Sequence, residues 1–556
     1  MTRAIDLIRE GKLKELWQMC CGFLSLDIRE FMEIQKRLLE QQMKLLNNCE
    51  LGKKIMRGAR PQTLEEFRRM VPLTTYKDYC PELVEKRVDV LPAKAVEWVH
   101  TSGRSGEYPC KWIPITAEFR QEMSVLAKGL SIISSCKDWE DTSQVVECPR
   151  VINAVAPRPY MSGSMADMIN LQSPTLFMPP LEGMDDLTFE ERIQLGFKQA
   201  LSRGLDGFCG LSLVLVKVGE RFSQASNRAS VLPYLKQPRA ALRLVGGLIK
   251  SKLARRPMLP RDLWKVKGIL SGGLDSWVYK EKIKELWGRY PLDVYCGSEG
   301  GIYATQAWDY DGMTFVPNLN FLEFVPEDEM VKLEMDRTYI PRTLLLDEVK
   351  AGENYEIVLT NFHGGAMVRY RPGDMVRITS LRNNKLGIDI PQMTFERRVD
   401  GLLDFVVIRL SEKIIWQAVE SLGIPYEDWT AYKIPGEPTL KLYIEFKDAV
   451  HTDKAEIKQA IIQAIIHSDN DDYSRSIAHD ELEDMIEFDV DIDILPTGTF
   501  ARYTAYRQSG GSDLAHLKPP HIQPSEEVLT LLVAKPERAE VASGSGIPDE
   551  KDAVTR

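Results

Sequence analysis

The chain has 556 residues, of which 44% are hydrophobic and 27% charged, a composition typical of a globular protein. This length exceeds one compact core, so we expect a large domain followed by a smaller one. With 71 basic and 81 acidic side chains the net charge is −10, and the sequence has no long run of Lys and Arg. Nucleic acid is therefore not expected as the main partner.

The sequence gives no sign of export or of a membrane anchor. Its N-terminus lacks an apolar signal region, and no apolar run reaches the ~20 residues of a membrane helix. The nine cysteines form no CxxC pair and have no histidine nearby at metal-ligand spacing, which favours reduced, structural thiols. We therefore expect a cytoplasmic protein without a membrane partner.

The predicted elements of the first 400 residues alternate between helices and strands. Apolar spacing predicts two packed amphipathic helices in the first ~60 residues. A capping-box pattern at 63–66 opens a short helix, and further helices are predicted over 188–204 and 275–288. Runs of strand character lie over 95–100, 151–155, 292–296, 321–325, 356–360 and 375–378. This alternation predicts an α/β sheet, whose ligands lie beyond the carboxyl ends of the strands.

The pattern changes near residue 400. Helix, strand, helix and strand are predicted in turn over 412–422, 440–446, 454–467 and 486–494. Such an order is typical of a small α+β domain, so we expect domains over 1–400 and 401–533. The apolar content of 534–556 is too low for a core, and we expect a disordered tail there.

The first loop that could bind a ligand follows the strand at 95–100. Residues 101–106 read Thr-Ser-Gly-Arg-Ser-Gly, and Lys111 comes shortly afterwards. Glycine N–H groups, the hydroxyls of Thr101 and Ser102 and a lysine charge can together wrap phosphates. Taken alone, the composition of this loop favours an ordinary surface turn.

The second loop, residues 295–300, follows the strand at 292–296. Glu299 offers a hard oxygen ligand for Mg²⁺, and Ser298 offers a donor for a phosphate. Tyr295 offers a ring that can stack on a base. The alternative is a solvated glutamate in a glycine turn.

Three later loops each supply one candidate group. Asp374 ends a tight Pro-Gly turn from which it can hold two ribose hydroxyls or simply cap the turn. Arg398, at the domain boundary, can reach a sugar or phosphate or make an interdomain ion pair. Lys518, stiffened by two prolines, can reach across a cleft or remain solvated. The presence of all five loops in this order favours a nucleotide site.

The order of these loops resembles the adenylate-forming superfamily of luciferases and acyl-CoA synthetases. Within it, the chain more closely resembles the auxin-responsive-promoter family of acyl acid amido synthetases. Further segments that carry this resemblance are 63–76, 157–163, 401–405, 498–500 and 518–520. The resemblance implies a large N-terminal α/β domain of the adenylate-forming type and a smaller, mobile α+β C-terminal domain.

The resemblance also assigns residues to an ATP site. The phosphate loop is expected to comprise Thr101, Ser102 and Lys111. The motif for adenine, phosphate and magnesium is expected to comprise Tyr295, Ser298 and Glu299. The ribose is expected to be held by Asp374 and Arg398. The mobile-domain lysine that bridges carboxylate and α-phosphate is expected to be Lys518.

Two departures from the family pattern concern the phosphate loop. Arg104 stands where the family usually has Thr or Ser, and residues 107–110 lengthen the gap before Lys111. An arginine at this place can bind a phosphate or alter the exit of pyrophosphate. Of the assigned residues, Lys111 is therefore the least secure.

The resemblance implies a ligase that uses ATP and Mg²⁺ to activate a small carboxylic acid as its acyl-adenylate. It favours transfer of the acyl group to an amine, with an amino acid as the acceptor. In that mechanism Mg²⁺ and Lys518 neutralise the developing charge, and Glu299 holds the ion. The small domain rotates between the two steps about residues 398–402.

Two other functions are compatible with the same residues. Transfer to the thiol of coenzyme A would make the chain an acyl-CoA synthetase. A nucleotide-binding scaffold that has lost turnover is a different class of protein. The sequence specifies neither the acid nor the oligomeric state.

Overall fold

The computed structural model describes residues 2–101, 111–155, 158–183, 187, 189–226, 237–272, 276–336, 338–399, 401–405, 409–448, 453–468, 488–509 and 519–533. The helices are α1 (Ala4–Arg9), α2 (Leu13–Cys21), α3 (Ile28–Asn47), α4 (Glu50–Ile55), α5 (Leu64–Met70), α6 (Ala117–Ile133), α7 (Met161–Gln172), α8 (Phe189–Arg203), α9 (Ser212–Ser226), α10 (Pro238–Leu253), α11 (Pro260–Leu263), α12 (Ser276–Trp287), α13 (Glu327–Met335), α14 (Glu412–Glu420), α15 (Lys454–Ser468), α16 (Thr499–Ser509) and α17 (Glu526–Val533).

The strands are β1 (Ala95–His100), β2 (Trp112–Thr116), β3 (Arg150–Ala154), β4 (Leu176–Met178), β5 (Gly207–Leu211), β6 (Gly268–Gly272), β7 (Leu292–Gly297), β8 (Gly301–Thr305), β9 (Met313–Phe315), β10 (Asn320–Pro326), β11 (Asn354–Asn361), β12 (Asp374–Ser380), β13 (Gln392–Arg398), β14 (Leu403–Asp404), β15 (Arg409–Leu410), β16 (Tyr426–Lys433), β17 (Thr439–Phe446) and β18 (Asp489–Ile494). None of the helices in these described ranges has the length and apolar character needed to cross a membrane.

The N-terminal region contains four helices, α1 to α4, so the expectation of two was wrong. The helical structure is interrupted ahead of α3 because Asp27 caps the start of that helix. Its side chain accepts the N–H of Glu30 at 2.8 Å, and the Glu30 carboxylate accepts the N–H of Asp27 at 2.9 Å. This reciprocal capping box starts a new helix in a stretch whose apolar spacing continues across the break.

Helix boundaries predicted from capping and glycine signals agree with the structure. Thr63 accepts the N–H of Glu66 at 3.1 Å and caps α5. Helices α8 and α12 end immediately before Gly204 and Gly288, whose φ angles are +94° and +83°. Glycine is favoured at such positions because it lacks a Cβ atom. The predicted first capping positions, 188 and 275, lie outside the described residues.

A mixed sheet of eleven strands forms the centre of the large domain. Its strand order is β10-β11-β12-β13-β9-β8-β7-β6-β5-β3-β4. Strands β4, β3, β5, β6 and β7 pair in parallel, and the pairs from β7 to β10 are antiparallel. The predicted α/β sheet is therefore present. The strand at 95–100, however, lies outside it, because β1 pairs with the following β2 in a separate ribbon.

Helices cover the parallel half of the sheet and fill the core. Helix α6 packs against β6 and β8, α8 against β3 and β4, and α9 against β5. Helix α10 lies outside this layer, with α8 and α11 as its main neighbours. Cys20 and Cys21 of α2 are buried in the apolar core, and burial raises the pKa of Cys20 to about 12. Both cysteines act as small apolar side chains, as the sequence predicted.

The C-terminal region forms a sheet of its own with three strands. Strands β16 and β17 are antiparallel, β17 and β18 are parallel, and α14 and α15 pack together beside them. This confirms a small α+β unit. Strand β16 was not predicted because Asp428 and Thr430 are buried within it and interrupt its apolar pattern. The predicted tail, 534–556, lies outside the described residues.

A histidine fixes the last described segment to this small sheet. Residues 521–523 pair with Ala431 of β16, whose N–H donates to the backbone oxygen of His521 at 2.7 Å. The imidazole stacks on Trp429 with ring centroids 4.4 Å apart. Its nitrogens lie 2.6 Å from Glu412 Oε1 and 2.7 Å from Asp428 Oδ1. Burial alone would lower the pKa of His521, but the two carboxylates outweigh it and raise the pKa.

We expect this attachment to weaken as the pH rises. The pKa of folded His521 lies above the unfolded value of 6.5, so its stabilising effect is complete below 6.5 and is lost as the pH passes the folded pKa. Thermal unfolding of the wild type and of His521→Gln should be compared from about pH 5.5 to about pH 9. The difference in thermal stability between the wild type and His521→Gln should become smaller as the pH rises.

His363 provides the control for this measurement. Its Nε2 lies 2.7 Å from the backbone oxygen of Asn318, so His363→Gln removes an imidazole from a neutral partner. The stability difference between His363→Gln and the wild type should not follow the pH dependence expected for His521. A constant advantage of the wild type over His521→Gln would contradict the proposed charge effect.

Candidate active site

Described residues from four of the five predicted loops lie beside the carboxyl end of β7, whereas Lys518 of the fifth loop lies outside the described residues. Ser298 Oγ donates to the backbone oxygen of His100 at 3.3 Å, which joins the second loop to the end of β1. Two side-chain clusters lie at this junction. The first is centred on Glu299 and the second on Asp374, and both carboxylates are buried, with 8% and 9% exposure.

The first cluster consists of Lys111, Glu299 and Tyr370. Lys111 Nζ donates to the Tyr370 hydroxyl at 2.9 Å and lies 3.3 Å from Glu299 Oε1. The Tyr370 hydroxyl in turn donates to Glu299 Oε1 at 3.3 Å. Burial raises the pKa of Tyr370 and the charge of Glu299 raises it further, so the phenol remains a proton donor. Sequence reasoning missed Tyr370, although it lies within the 369–374 motif that drew attention to Asp374.

Two buried asparagines hold the backbone of Glu299. Asn361 Nδ2 donates to the backbone oxygen of Glu299 and to Asn320 Oδ1, both at 2.9 Å. Asn320 Nδ2 donates to the backbone oxygen of Gly300 at 2.7 Å. A Cβ atom on Gly300 would lie only 2.8 Å from Asn320 Oδ1, so this turn requires glycine. Neither asparagine was predicted, because each lies at the end of an apolar strand with no local motif.

Thr101 and Lys111 pair with each other at the base of the predicted phosphate loop. Thr101 N donates to the backbone oxygen of Lys111, and Lys111 N donates to Thr101 Oγ1, both at 3.2 Å. Residues 102–110, including Ser102 and Arg104, lie outside the described residues. The structure thus joins the base of this loop to Glu299 through Lys111.

The second cluster consists of Tyr295, Asp374 and Arg398. The Tyr295 hydroxyl donates to Asp374 Oδ2 at 2.7 Å, and Arg398 Nη1 donates to Asp374 Oδ1 at 2.8 Å. Asp374 and Arg398 are direct partners across the β12–β13 pair. Gly373 has a φ of +83°, as expected for the tight Pro-Gly turn before Asp374.

Tyr295 is almost enclosed by other aromatic side chains. It is 7% exposed, and its ring centroid lies 4.9 Å from that of Tyr303 and 6.4 Å from that of Phe395. Burial raises the pKa of Tyr295 and the charge of Asp374 raises it further, which keeps its hydroxyl a donor. Tyr295 therefore positions Asp374 in this structure, and stacking on adenine stays a prediction.

Tyr303 lies between the two clusters. Its ring centroid lies 4.9 Å from that of Tyr295, and a Cβ atom added to Gly300, next to Glu299, would lie only 2.5 Å from the Tyr303 ring. Burial raises the pKa of Tyr303, and the charges of Glu299 and Asp374 raise it further. Tyr303 therefore connects the second cluster to the turn that carries Glu299.

The residues at Glu299 fit a magnesium ion that is shared with a nucleotide. In the described part of the chain, Glu299 Oε1 is bonded to Lys111 and Tyr370 but Oε2 accepts no hydrogen bond. Mg²⁺ in nucleotide sites is held by one or two carboxylates together with phosphate oxygens and water. One carboxylate with an open oxygen meets this requirement. The same described residues contain no group of three or more side chains that could form a metal cage alone.

Comparison with known families agrees with this geometry. The GH3 family N-terminal domain matches residues 21–144, and the GH3 family central domain matches residues 313–398. The matched segments contain the base of the phosphate loop and the pair formed by Asp374 and Arg398. Glu299 and Lys518 lie outside both matched segments.

Curated relatives are similar to this chain over part of their length. The 4-substituted benzoates-glutamate ligase GH3.12 of Arabidopsis thaliana is 31% identical over 156 residues, which cover 26% of this chain and 24% of the relative. The jasmonoyl-L-amino acid synthetase JAR4 of Nicotiana attenuata is 34% identical over 163 residues, which cover 28% and 26%. The chain thus spans about a quarter of the length of these two relatives.

A solved structure extends the comparison to nearly the whole chain. The AtGH3.15 acyl acid amido synthetase in complex with 2,4-DB covers 94% of this chain and 95% of its own, with a TM-score of 0.51 and 18% sequence identity. Similarity at this identity concerns the fold. It confirms the predicted fold class, a large α/β domain followed by a smaller α+β domain.

Proposed function

We propose that this chain is an ATP-dependent ligase that activates a small carboxylic acid as acyl-AMP and conjugates it to an amine, with an amino acid as the acceptor class. The observation that carries the proposal is the convergence of four loops, each predicted from the sequence to hold part of a nucleotide. The relatives' names support the acceptor class, because GH3.12 is named a glutamate ligase and JAR4 an L-amino acid synthetase.

In this proposal the nucleotide lies across both clusters. Asp374 and Arg398 hold the ribose, and Thr101, Ser102 and Ser298 contact phosphates. Lys111 can reach the same phosphates because its Nζ is 3.3 Å from Glu299 Oε1. Glu299 holds Mg²⁺, which supplies charge neutralisation to the phosphates when bound. The chain's own residues bind and orient ATP, so catalysis rests mainly on position and electrostatics.

The second half of the proposal concerns the small domain. Lys518 bridges the substrate carboxylate and the α-phosphate during adenylation. The domains span 1–400 and 401–533, and the small one rotates about residues 398–402 before the amine attacks. Gly401 has a φ of +67°, and a glycine in this hinge can absorb large backbone changes.

We also propose that the enzyme works in the cytoplasm. Eight cysteines of the described chain are free thiols, as is usual in a reducing compartment.

The test of this function is ATP-dependent release of pyrophosphate with a panel of small carboxylic acids. Each acid is tested with pooled amino acids and separately with coenzyme A, and products are identified by mass spectrometry. Release that depends on an acid and yields an amide establishes the ligase and names its substrate. A thioester would make the chain an acyl-CoA synthetase instead. Absence of release with every acid, despite measurable ATP binding, would favour the scaffold.

Asp374→Ala is expected to weaken ATP binding by at least roughly tenfold, since hydrogen bonds to a charged group typically contribute ~1.5–3 kcal/mol. Isothermal titration with ATP measures the change. Asp389→Ala is the matched control because Asp389 pairs with Arg382 at 3.1 Å on the surface, where both side chains are about half exposed. If Asp374→Ala leaves the dissociation constant of ATP unchanged, Asp374 does not hold the ribose.

A further inference from the structure

Helix α10 exposes an apolar face to solvent. Leu242, Val245, Ile249 and Leu253 are 73%, 44%, 55% and 81% exposed. At about 100° per residue, these four positions fall within an arc of roughly 80°. The buried positions of the same helix are Ala240, Leu244, Gly247 and Ser251. The helix thus carries a second apolar stripe opposite the one that faces the protein, where a surface helix normally carries polar residues.

The surrounding sequence is strongly basic. The segment from Arg221 to Arg261 contains ten Lys and Arg residues and no Asp or Glu. This segment is positively charged, although the net charge of the whole chain is −10. The apolar stripe therefore lies in a local region of positive charge.

Basic side chains flank the apolar stripe on both sides. By helical spacing, Arg239 and Lys250 lie along one edge of the stripe and Lys252 lies along the other. Arg239, Lys252 and Arg255 form no ion pair within the described ranges. Arg256, by contrast, is neutralised by Asp262 at 2.7 Å and supports the fold. Lys250 Nζ donates to the backbone oxygen of Asp262 at 3.0 Å, so the charges available to an external anion are those of Arg239, Lys252 and Arg255.

We propose that α10 docks on the surface of an anionic lipid bilayer. The stripe of Leu242, Val245, Ile249 and Leu253 inserts at the boundary of the acyl chains, while the flanking Arg and Lys lie among the anionic headgroups. An amphipathic helix with this division of residues binds in the plane of the interface and does not span the bilayer. The expectation of no membrane partner was drawn from the lack of a spanning segment and did not consider this case.

A lipid bilayer matches the apolar stripe and its basic flanks better than nucleic acid or a protein partner does. Nucleic acid would use the basic residues but not four exposed apolar side chains. A protein partner of standard size covers about 800 Å² on each side, which is wider than one helix face. A fluid bilayer accepts a narrow apolar strip without a complementary shape. Anionic lipids match the surplus of positive charge.

The test is co-sedimentation of the full chain with vesicles of phosphatidylcholine alone or with roughly one third phosphatidylserine. We expect binding to the anionic vesicles that weakens with added salt and is absent with phosphatidylcholine alone. Leu242→Glu/Ile249→Glu and Arg239→Glu/Lys252→Glu should each reduce the bound fraction at least roughly tenfold.

Two double variants serve as matched controls. Ile340→Glu/Leu381→Glu places the same charges on apolar side chains that are 83% and 51% exposed elsewhere on the large domain. Lys36→Glu/Lys44→Glu reverses two exposed charges of α3. Both should bind anionic vesicles like the wild type. Thermal unfolding confirms that each variant is folded.

Three results would overturn the proposal. The first is equal binding to vesicles with and without phosphatidylserine. The second is wild-type binding by the folded Leu242→Glu/Ile249→Glu variant. The third is no binding to vesicles together with a dimer, seen by light scattering, that this variant abolishes, because a second copy would then cover the stripe.

Discussion

Replacing Lys518 by alanine is expected to slow acyl-adenylate formation about a hundredfold or more while leaving the affinity for ATP within a few-fold. Attack of a carboxylate on the α-phosphorus concentrates negative charge between the two reactants. A lysine that bridges the two reactants stabilises mainly the transition state. Its loss therefore lowers the rate of adenylation more than it lowers the affinity for ATP. Residues 521–523 are fixed to β16 through their pairing with Ala431, and Lys518 itself lies outside the described residues.

The measurement for Lys518 separates adenylation from transfer. Acid-dependent exchange of pyrophosphate into ATP reports the first step, and amide formation from supplied acyl-AMP reports the second. Lys447→Ala is the matched control, because Lys447 is an exposed lysine of the same domain. An unchanged exchange rate in Lys518→Ala would remove Lys518 from its role. A parallel loss of ATP binding would assign it to ground-state binding instead.

Replacing Glu323 by glutamine is expected to lower the free energy of unfolding by about 3–5 kcal/mol. Glu323 and Arg369 are 1% and 5% exposed and form two hydrogen bonds, of 2.8 and 2.9 Å. Arg369 Nη1 also donates to the backbone oxygens of Arg68 and Val71 at 2.7 and 2.6 Å. Without the carboxylate, a buried guanidinium loses its counter-ion and cannot turn to solvent.

The effect should extend to the site, because Arg369 immediately precedes Tyr370. Arg369 has a φ of +43°, a conformation that is costly for a residue with a side chain, and its buried hydrogen bonds hold it there. Loosening it shifts the phenol that bonds Lys111 and Glu299. Denaturant unfolding measures the stability, and ATP titration at low temperature measures the site.

Glu353→Gln is the control for Glu323→Gln. Glu353 lies 3.4 Å from Lys350, and the two side chains are 49% and 73% exposed, so the change should cost less than about 1 kcal/mol. If Glu323→Gln costs no more than this surface variant, the buried pair does not stabilise the fold as proposed.

The sequence predicted the elements that a short run of neighbouring residues is enough to identify. Five of the eleven strands of the large sheet, β3, β7, β10, β11 and β12, were predicted because their apolar runs are short and bounded by turns. Glu299, Asp374 and Arg398 were selected because each belongs to a compact loop next to such a strand. The structure places Arg398 in contact with Asp374 at 2.8 Å, and the roles of all three residues stay predictions.

Contacts between distant parts of the chain were not predictable from spacing. Lys111 and Tyr370 touch across 259 positions, and Asn361 reaches the backbone of Glu299 across 62. A single sequence contains no local signal for either contact. Helical spacing has a related limit, since it shows that α10 has apolar stripes but not which of them faces solvent.

The pairing of Asp374 with Arg398 has a consequence for the fate of the reactive intermediate. Both proposed ribose contacts lie on adjacent strands of the large sheet, joined at 2.8 Å, and Arg398 is the last residue of β13. Rotation of the small domain would therefore move Lys518 without separating the two residues that grip the sugar. The acyl-AMP intermediate would stay bound to the large domain throughout the cycle. This limits its release into water before the acceptor binds.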